Sequence, residues 1–256
     1  MPPLPKPVEA LLRRFHGQRP LRGGSLLITI FGDAIAPRGG TVTLGSLIDL
    51  AHPFGLAERL VRTSVARLAA EGWLAATRHG RRSEYRLTDS GRKLFAEATR
   101  RIYGVNPSSW DGRWTLAVLP PAGGGRAARR SPSGRSPLGK RRNLREELRW
   151  LGFGQLSPGV YAHPACTLEE ARGWLATLGC ANHSCLFKSV TEGLEADRKL
   201  AAEGWNLADI ARRYRRFRDT FAPVEAAVRD SDALLPRAAF LVRTLLIHEY
   251  RKIHLQ

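Results

Sequence analysis

Hydrophobic positions recur at helical spacing along the first part of the chain. Segment 21–36 is almost continuously apolar and predicts a buried helix or strand. Apolar residues then recur at i, i+3, i+4 and i+7 over 44–51, which predicts a short amphipathic helix capped by Thr43. Residues 1–20 contain five prolines and predict an extended arm with a short helix at 8–15.

The stretch AERLVRTSVARLAAEGWL, residues 57–74, predicts a second amphipathic helix that ends at Gly72. At ~100° per residue its two sides differ in chemistry. The inward side carries Leu60, Val61, Ser64 and Leu68. The outward side carries Arg59, Arg62, Thr63 and Ala66. Arg67 comes seven residues after Leu60 and is therefore expected to flank the packed side.

Two strand-like runs follow this helix, at 73–77 and 84–87, and RHGRRS joins them with a glycine at the bend. The next segment, TDSGRKLFAEATRRIY, predicts a helix capped near Thr88. Helix, short helix, turn, helix, two-stranded wing and helix is the plan of a winged helix-turn-helix domain, which we assign to 21–104.

Strands and helices alternate between residues 111 and 191. The strand-like segments are RWTLAVLPP, GVYAHP and SCLFKSV, and the helical ones are NLREELRWLG and TLEEARGWLATLG. This order predicts a split β-α-β, ferredoxin-like domain at 111–191. Within it, residues 122–140 are rich in glycine, arginine and serine and predict a basic low-complexity loop. Residues 192–256 read as helical and predict a C-terminal helical domain, which makes the expected fold class α+β.

The charge is strongly positive and uneven. The chain carries 41 lysines and arginines against 23 acidic residues, a net charge of +18. Residues 1–103 hold 17 basic and 8 acidic residues, 104–143 hold 8 and 1, and 144–256 hold 16 and 14. Because clustered cations gain affinity by releasing counterions from a phosphate backbone, we expect a nucleic-acid partner for the first 143 residues. A general coding bias toward arginine would not concentrate the excess in this way.

The second helix of a helix-turn-helix enters the major groove, where arginine can bind guanine and hydroxyl side chains can reach bases or phosphates. The basic wing can add phosphate or minor-groove contacts. The predicted DNA-binding residues are Arg59, Arg62, Thr63, Ser64, Arg67, Arg78, His79, Arg81, Arg82 and, in the turn APRGG, Arg38. The competing interpretation of the arginine helix is an ordinary solvated face.

No pattern predicts catalysis, a metal or a cofactor. CANHSC at 180–185 and HEYRKIH at 248–254 do not have the spacing of common zinc sites. Three cysteines are too few for a disulfide framework, which favours a reducing cytoplasm. The longest early apolar run, 26–31, is far shorter than the ~20 residues of a membrane span, and the N-terminus has no signal-peptide core. We therefore expect a soluble, cytoplasmic protein with no membrane partner.

Several longer motifs resemble one family. They are LLITIFGDAIAPRGGTVTLGSLIDL, GLAERLVRTSVARLAAEGWL, GRRSEYRLTDSGR, WDGRWTLAVLP, LREELRWLGFGQLSPGVYAHP and FLVRTLLIHEYRKI. In order and spacing, over about residues 21–253, they resemble the PaaX family of repressors of phenylacetic acid degradation.

The resemblance implies a winged helix-turn-helix, a ferredoxin-like middle domain and a helical C-terminal domain, acting as a homodimer on palindromic double-stranded operators. It also implies release from DNA by phenylacetyl-coenzyme A, and DNA contacts on ERLVRTS and RHGRR. No equally sharp motif marks the effector site. Weak candidates are the arginines of ARRYRRFRDTF: Arg212, Arg213, Arg215 and Arg216. Their alternatives are a solvated face or a dimer contact.

One departure concerns the start of the arginine helix. Ala57 stands where a polar cap is expected, which weakens the helix by about 1 kcal/mol unless Glu58 offsets it through the helix dipole.

Two other functions compete with this assignment. One is a regulator of the same fold that responds to another acyl-coenzyme A or to none. The other is a nuclease, because the middle domain resembles small CRISPR-associated ferredoxin-like endoribonucleases. Those enzymes need an acidic metal ligand where the first strand ends, and this chain has Pro120 and Pro121 there.

Overall fold

The computed structural model describes residues 3–18, 23–80, 82–93, 95–96, 110–120, 144–229 and 235–254. These residues form two compact units. The first comprises Met1–Gly104 and Arg213–His254, and the second comprises Val105–Arg212 and Leu255–Gln256. The predicted basic loop at 122–140 lies outside the described residues.

The first unit is mainly helical and contains one small sheet. Its helices are α1 (Lys6–His16), α2 (Gly23–Ile30), α3 (Leu44–Ala51), α4 (Glu58–Ala70), the part of α8 (Leu207–Arg229) that begins at Arg213, and α9 (Pro236–His254), with a further helical segment at 89–93 and 95–96. A π-helical turn at Phe31–Ile35 extends α2, and the 3-10 turns are Ala36–Arg38 and His52–Phe54. The strands β1 (Thr41–Thr43), β2 (Leu74–His79) and β3 (Arg82–Leu87) form an antiparallel sheet in the order β1-β3-β2.

The N-terminal residues are packed, which corrects the prediction of an extended arm. The short helix predicted at 8–15 is present within α1, and it is longer than predicted. Its apolar stripe of Val8, Leu11, Leu12 and Phe15 is buried. The Phe15 ring meets Phe54 edge-on at 6.3 Å, so burial of this stripe overrides the proline-rich composition.

The sequence predicts either a helix or a strand for segment 21–36. The described residues of this segment are helical. Leu26, Leu27 and Ile30 are completely buried, and α2 packs against α4. The approach is close, because a Cβ on Gly23 would lie 2.9 Å from the Ser64 hydroxyl oxygen. Helix α4 therefore packs closely against α2.

The ends of α3 and α4 form as the sequence predicts. Thr43 Oγ1 accepts a hydrogen bond from the Ser46 amide at 3.2 Å and so caps α3. Gly55, with φ of +76°, makes the turn toward α4 possible. At the start of α4, Ala57 provides no side-chain cap.

The C-terminal end of α4 has the geometry of a Schellman motif. The Trp73 amide donates to the Leu68 carbonyl at 2.9 Å, and the Gly72 amide donates to the Ala69 carbonyl at 3.0 Å. Gly72 has φ of +79°, a conformation that residues with a Cβ rarely adopt. This turn directs the chain straight into β2.

Thr88 fixes the base of the β2-β3 hairpin. Its hydroxyl donates to the Gly72 carbonyl at 2.6 Å, and the same oxygen accepts from the Gly91 amide at 2.9 Å. The predicted cap near Thr88 is therefore present, and it also links the hairpin to the end of α4.

The second unit has the predicted ferredoxin-like topology. Its elements are β4 (Arg113–Val118), α5 (Leu144–Trp150), β5 (Gly154–Ser157), β6 (Val160–His163), α6 (Leu168–Thr177), β7 (Cys185–Val190) and α7 (Leu194–Gly204). All pairs in the sheet are antiparallel, in the order β5-β6-β4-β7. Leu148 and Leu175, from α5 and α6, are completely buried against one face with Phe153 and Ala117.

Helix α7 packs on this second unit, which differs from the predicted separate C-terminal domain at 192–256. The Trp114 indole nitrogen donates to the Asp197 carboxylate at 2.8 Å, and the Trp114 ring lies 5.9 Å from Trp205. Helix α9 and most of α8 belong instead to the first unit. The predicted domain is thus divided between the two units.

Polar contacts join α9 to α2 and to the π-helical turn that extends it. The Arg243 guanidinium binds both carboxylate oxygens of Asp33, at 2.7 and 2.8 Å. Thr29 Oγ1 lies 3.3 Å from His248 Nδ1. Burial, and secondarily the charges of Lys252 and Arg251, lower the pKa of His248 to about 3.

His248 makes stability depend on pH. In the folded chain it stays neutral down to about pH 3, whereas the unfolded chain takes up a proton near pH 6.5. The unfolded state binds more protons in this window, so the free energy of unfolding falls as pH is lowered from 6.5 toward 3. In urea titrations, His248→Gln should lose less stability than the unaltered chain over this window. An identical pH dependence for the two proteins would contradict the role of His248.

A second prediction concerns the turn after α4. Gly72→Ala should lower the free energy of unfolding by about 1 kcal/mol, because a Cβ strains this backbone conformation. Gly173→Ala is the control, since Gly173 lies inside α6 and an added Cβ would have no described side chain within 4 Å, its chain neighbours aside. That control should raise stability by about 0.5 to 1 kcal/mol. Changes of the same sign in both variants would contradict the strain at Gly72.

Candidate DNA-binding surface

Helix α4 presents one face to solvent and buries the other. Val61, Val65 and Leu68 are at most 3% exposed, which fixes the rotation of the helix about its axis. The solvent face carries Arg59, Arg62, Thr63, Ala66 and Arg67. Three cations along one side of a 13-residue helix give a surface that can contact a polyanion.

Arg62 is paired within the helix. Its Nε and Nη2 atoms lie 2.8 and 2.7 Å from the same Oε1 atom of Glu58, four residues earlier. The two side chains are 56% and 59% exposed. Because exposed pairs of this kind contribute only about 0.3 to 0.5 kcal/mol, DNA can displace the carboxylate.

The other polar residues of this face are arranged differently. Among the described residues, the Arg59 side chain makes no ion pair and no hydrogen bond. The Thr63 hydroxyl donates to the Arg59 carbonyl at 2.7 Å, which leaves its oxygen able to accept a bond. Arg67 Nε lies 3.8 Å from Glu71, and its Nη2 atom lies close over Gly24 of α2. Arg67 thus lies at the edge next to α2, as expected, and is still 64% exposed.

Ser64 corrects the predicted set of DNA-binding residues. It is only 4% exposed, and its hydroxyl faces Gly23 of α2. A buried hydroxyl at this helix contact cannot reach a base or a phosphate.

The hairpin of β2 and β3 brings cations to the same unit. His79 lies opposite Arg82, and Gly80 begins the turn with φ of +60°. Arg78 is exposed, and its Nε donates to the Gly80 carbonyl at 3.1 Å. Arg81 and the side chains of His79 and Arg82 lie outside the described residues. Both predicted strands are therefore present, and among the predicted DNA-binding residues of this hairpin only Arg78 has a described side chain.

Two further arginines of the first unit are exposed. Arg38 is exposed, and its Nη1 atom donates to the Ala34 carbonyl at 2.9 Å. Arg86 was not predicted, and it is exposed on β3 opposite Ala75 and Thr41. The alternation of strand residues could have indicated Arg86, because buried Leu87 next to it sets the inward face.

The four C-terminal arginines lie on α8. Tyr214, Phe217 and Phe221 share one side of this helix, and the Phe217 ring lies 5.5 Å from that of Tyr250 on α9. Arg212 pairs with Asp209 in the second unit. Arg213, Arg215 and Arg216 are exposed and belong to the first unit. Within the described residues, Arg215 and Arg216 have no acidic partner.

The cysteines and histidines do not form a metal site in the described part of the chain. No group of three or more histidine, cysteine, aspartate or glutamate side chains is placed there to hold a metal ion. Cys166 is buried, and burial raises the pKa of its thiol to about 11. Among the described helices, none is long and apolar enough to cross a bilayer.

Comparison with known proteins assigns the chain to one family. The model for PaaX-like protein matches residues 22–91, that for the PaaX protein central Cas2-like domain matches 138–201, and that for the PaaX-like protein C-terminal domain matches 205–256. The transcriptional repressor PaaX of Escherichia coli (strain K12) is 34% identical over 241 residues, which are 93% of this chain and 72% of that protein. The resemblance predicted from the sequence is thereby confirmed, and the chain belongs to the PaaX family of transcriptional repressors.

Proposed function

We propose that this chain is a repressor that binds an operator in double-stranded DNA through a winged helix-turn-helix. Helices α3 and α4 are the helix-turn-helix, and the β2-β3 hairpin is the wing. The observation that carries the proposal is the outward face of α4, where Arg59, Arg62 and Thr63 are exposed beside a basic hairpin.

The size of α4 suits the major groove. Its 13 residues span about 20 Å at 1.5 Å per residue, and the groove, about 12 Å wide, admits one helix. Arg59 and Arg62 lie in the N-terminal half of α4, the part that meets base edges in helix-turn-helix proteins. In the bound state the Arg62 guanidinium leaves Glu58 and donates to guanine, while Arg78 and Arg38 contact phosphates.

The operator is a palindrome bound by a homodimer. Two copies of α4 then enter successive major grooves, about 34 Å apart. Targets of the repressor are genes of phenylacetic acid catabolism, as the family resemblance implies.

The effector is phenylacetyl-coenzyme A, and its phosphates bind Arg215 and Arg216. These exposed arginines lie opposite the aromatic stripe of α8 and have no acidic partner among the described residues. The effector releases DNA by favouring a dimer in which the two α4 helices no longer match successive grooves, since a ligand shifts states only through differential affinity.

The DNA-binding assignment predicts a loss of affinity in Arg62→Ala. An operator duplex is first selected by the protein from a random pool, and its Kd is measured at fixed salt by fluorescence anisotropy. Arg62→Ala should raise this Kd by about 10- to 100-fold, because one bidentate base contact is lost. Arg229→Ala is the matched control, since Arg229 pairs with Glu225 at the same i, i+4 spacing and is 74% exposed. Equal affinities of Arg62→Ala and Arg229→Ala would contradict the assignment of α4.

The effector assignment predicts that saturating phenylacetyl-coenzyme A raises the operator Kd by roughly 5- to 150-fold. Free coenzyme A and acetyl-coenzyme A test whether the aromatic acyl group is required. The double variant Arg215→Ala/Arg216→Ala should keep operator affinity and lose most of the response. Arg198→Ala, an exposed arginine on α7, is its control. A stable complex with DNA at saturating phenylacetyl-coenzyme A would contradict this effector.

A further inference from the structure

The C-terminal end of α1 contacts the turn from which α4 starts. We propose that His16, the last residue of α1, is a positioning residue for base recognition: it holds the turn between α3 and α4, and with it the first residues of α4, in the orientation that base contacts need. This inference rests on the proposed function, because it assumes that α4 enters the major groove.

His16 contacts this turn at two points. Its Nε2 atom lies 3.1 Å from the Pro53 carbonyl oxygen. Since a carbonyl can only accept a hydrogen bond, Nε2 carries the proton and donates it. The ring also covers Gly55, where an added Cβ would lie 3.0 Å from His16 Cδ2. The side chain thus binds the turn through one hydrogen bond and one close packing contact.

Two features make the start of α4 depend on such contacts. Gly55 is the joint of the turn, and glycine is the residue whose backbone is least restricted. Ala57 provides no side-chain oxygen to hold the first amide groups of α4. The buried side chains of Phe54 and Leu56 anchor the chain on either side of the joint. His16 adds a contact to the backbone between these two anchors.

Helix α1 is itself held by α9. The Phe15 ring lies edge-on to that of His248, with 5.8 Å between their centres. Gln18, just beyond the end of α1, donates from Nε2 to the Glu249 carboxylate at 3.2 Å. Because α1 is docked in this way, His16 projects from a fixed support.

Base recognition and general attraction to DNA depend differently on the orientation of α4. A bidentate bond to guanine needs two aligned donors at about 2.7 to 3.2 Å, whereas attraction between cations and phosphates acts over about 8 Å and tolerates a tilt. Arg59 and Arg62 come four and seven residues after Gly55, so a change of angle at this glycine moves both. A looser turn therefore weakens operator binding more than binding to random DNA, because only the operator complex has to select one orientation.

The test measures Kd at fixed salt for two duplexes, the selected operator and a shuffled duplex of equal length and composition. His16→Ala should raise the operator Kd by about three- to tenfold, the equivalent of one net hydrogen bond, and the shuffled Kd by less than about twofold. His16→Gln, whose amide nitrogen can take the place of Nε2, should restore operator affinity to within about twofold. His16→Leu, which keeps the bulk over Gly55 without a donor, should behave like His16→Ala.

Two controls separate this role from a general effect on stability. Gln18→Ala removes a contact of the same segment with α9 and leaves the turn untouched, so it should not change the ratio of the two affinities. Hydrogen exchange in the absence of DNA provides a second measurement. In His16→Ala the amide groups of 56–62 should exchange faster than in the unaltered protein, whereas those of the sheet of the second unit should not change.

The outcomes distinguish the two proposals. If the unaltered protein selects no sequence from the random pool, the proposed function fails. If it discriminates between the duplexes, and His16→Ala raises both Kd values by the same factor or Gln18→Ala lowers the ratio equally, the role of His16 is overturned while the proposed function stands. Should thermal unfolding show that His16→Ala does not fold, His16→Gln and His16→Leu decide, and equal affinity ratios for these two variants overturn the proposal.

Discussion

The packing of α4 against α2 is the contact on which the candidate DNA-binding surface depends. It requires glycine at the crossing, because a Cβ on Gly23 would lie 2.9 Å from Ser64 Oγ and 3.2 Å from Leu60 Cγ. Close approach buries Val61 and Val65, and that burial decides which side of α4 is turned outward. The exposure of Arg59 and Arg62 is thus a consequence of helix packing and not only of their own chemistry.

Helix α2 holds α9 as well as α4. The Asp33–Arg243 ion pair and the Thr29–His248 contact join its C-terminal part to α9. The carboxylate of Asp33 is only 7% exposed, so separating it from Arg243 would leave a buried charge without this partner and is strongly disfavoured. A change in the position of α9 must therefore either break these contacts or carry α2, and with it α4, along.

Periodicity predicted most of the elements in both units, because helices α3 and α4 and the ferredoxin-like strands alternate apolar and polar positions clearly. Periodicity did not predict the position of elements that depends on contacts between residues far apart in the sequence. The proline-rich N-terminal segment forms a packed helix, in which the Phe15 ring lies edge-on against that of Phe54. Helix α7 packs on the second unit, where the Trp114 indole nitrogen donates a hydrogen bond to Asp197. Within the site, helical phase placed Arg59, Arg62 and Thr63 outward and Ser64 inward. The structure adds what Ser64 packs against, which is Gly23 of α2.

Net charge is a poor measure of how many cations of the candidate DNA-binding surface are without an acidic neighbour. Two of the three arginines exposed on α4 have a glutamate four residues away, Glu58 for Arg62 and Glu71 for Arg67. Neither pair is strong enough to resist a good competitor, yet both raise the free energy of placing these cations against an arbitrary phosphate. A count of charged residues therefore overstates the positive charge that this face of α4 presents, because two of its arginines have a glutamate beside them.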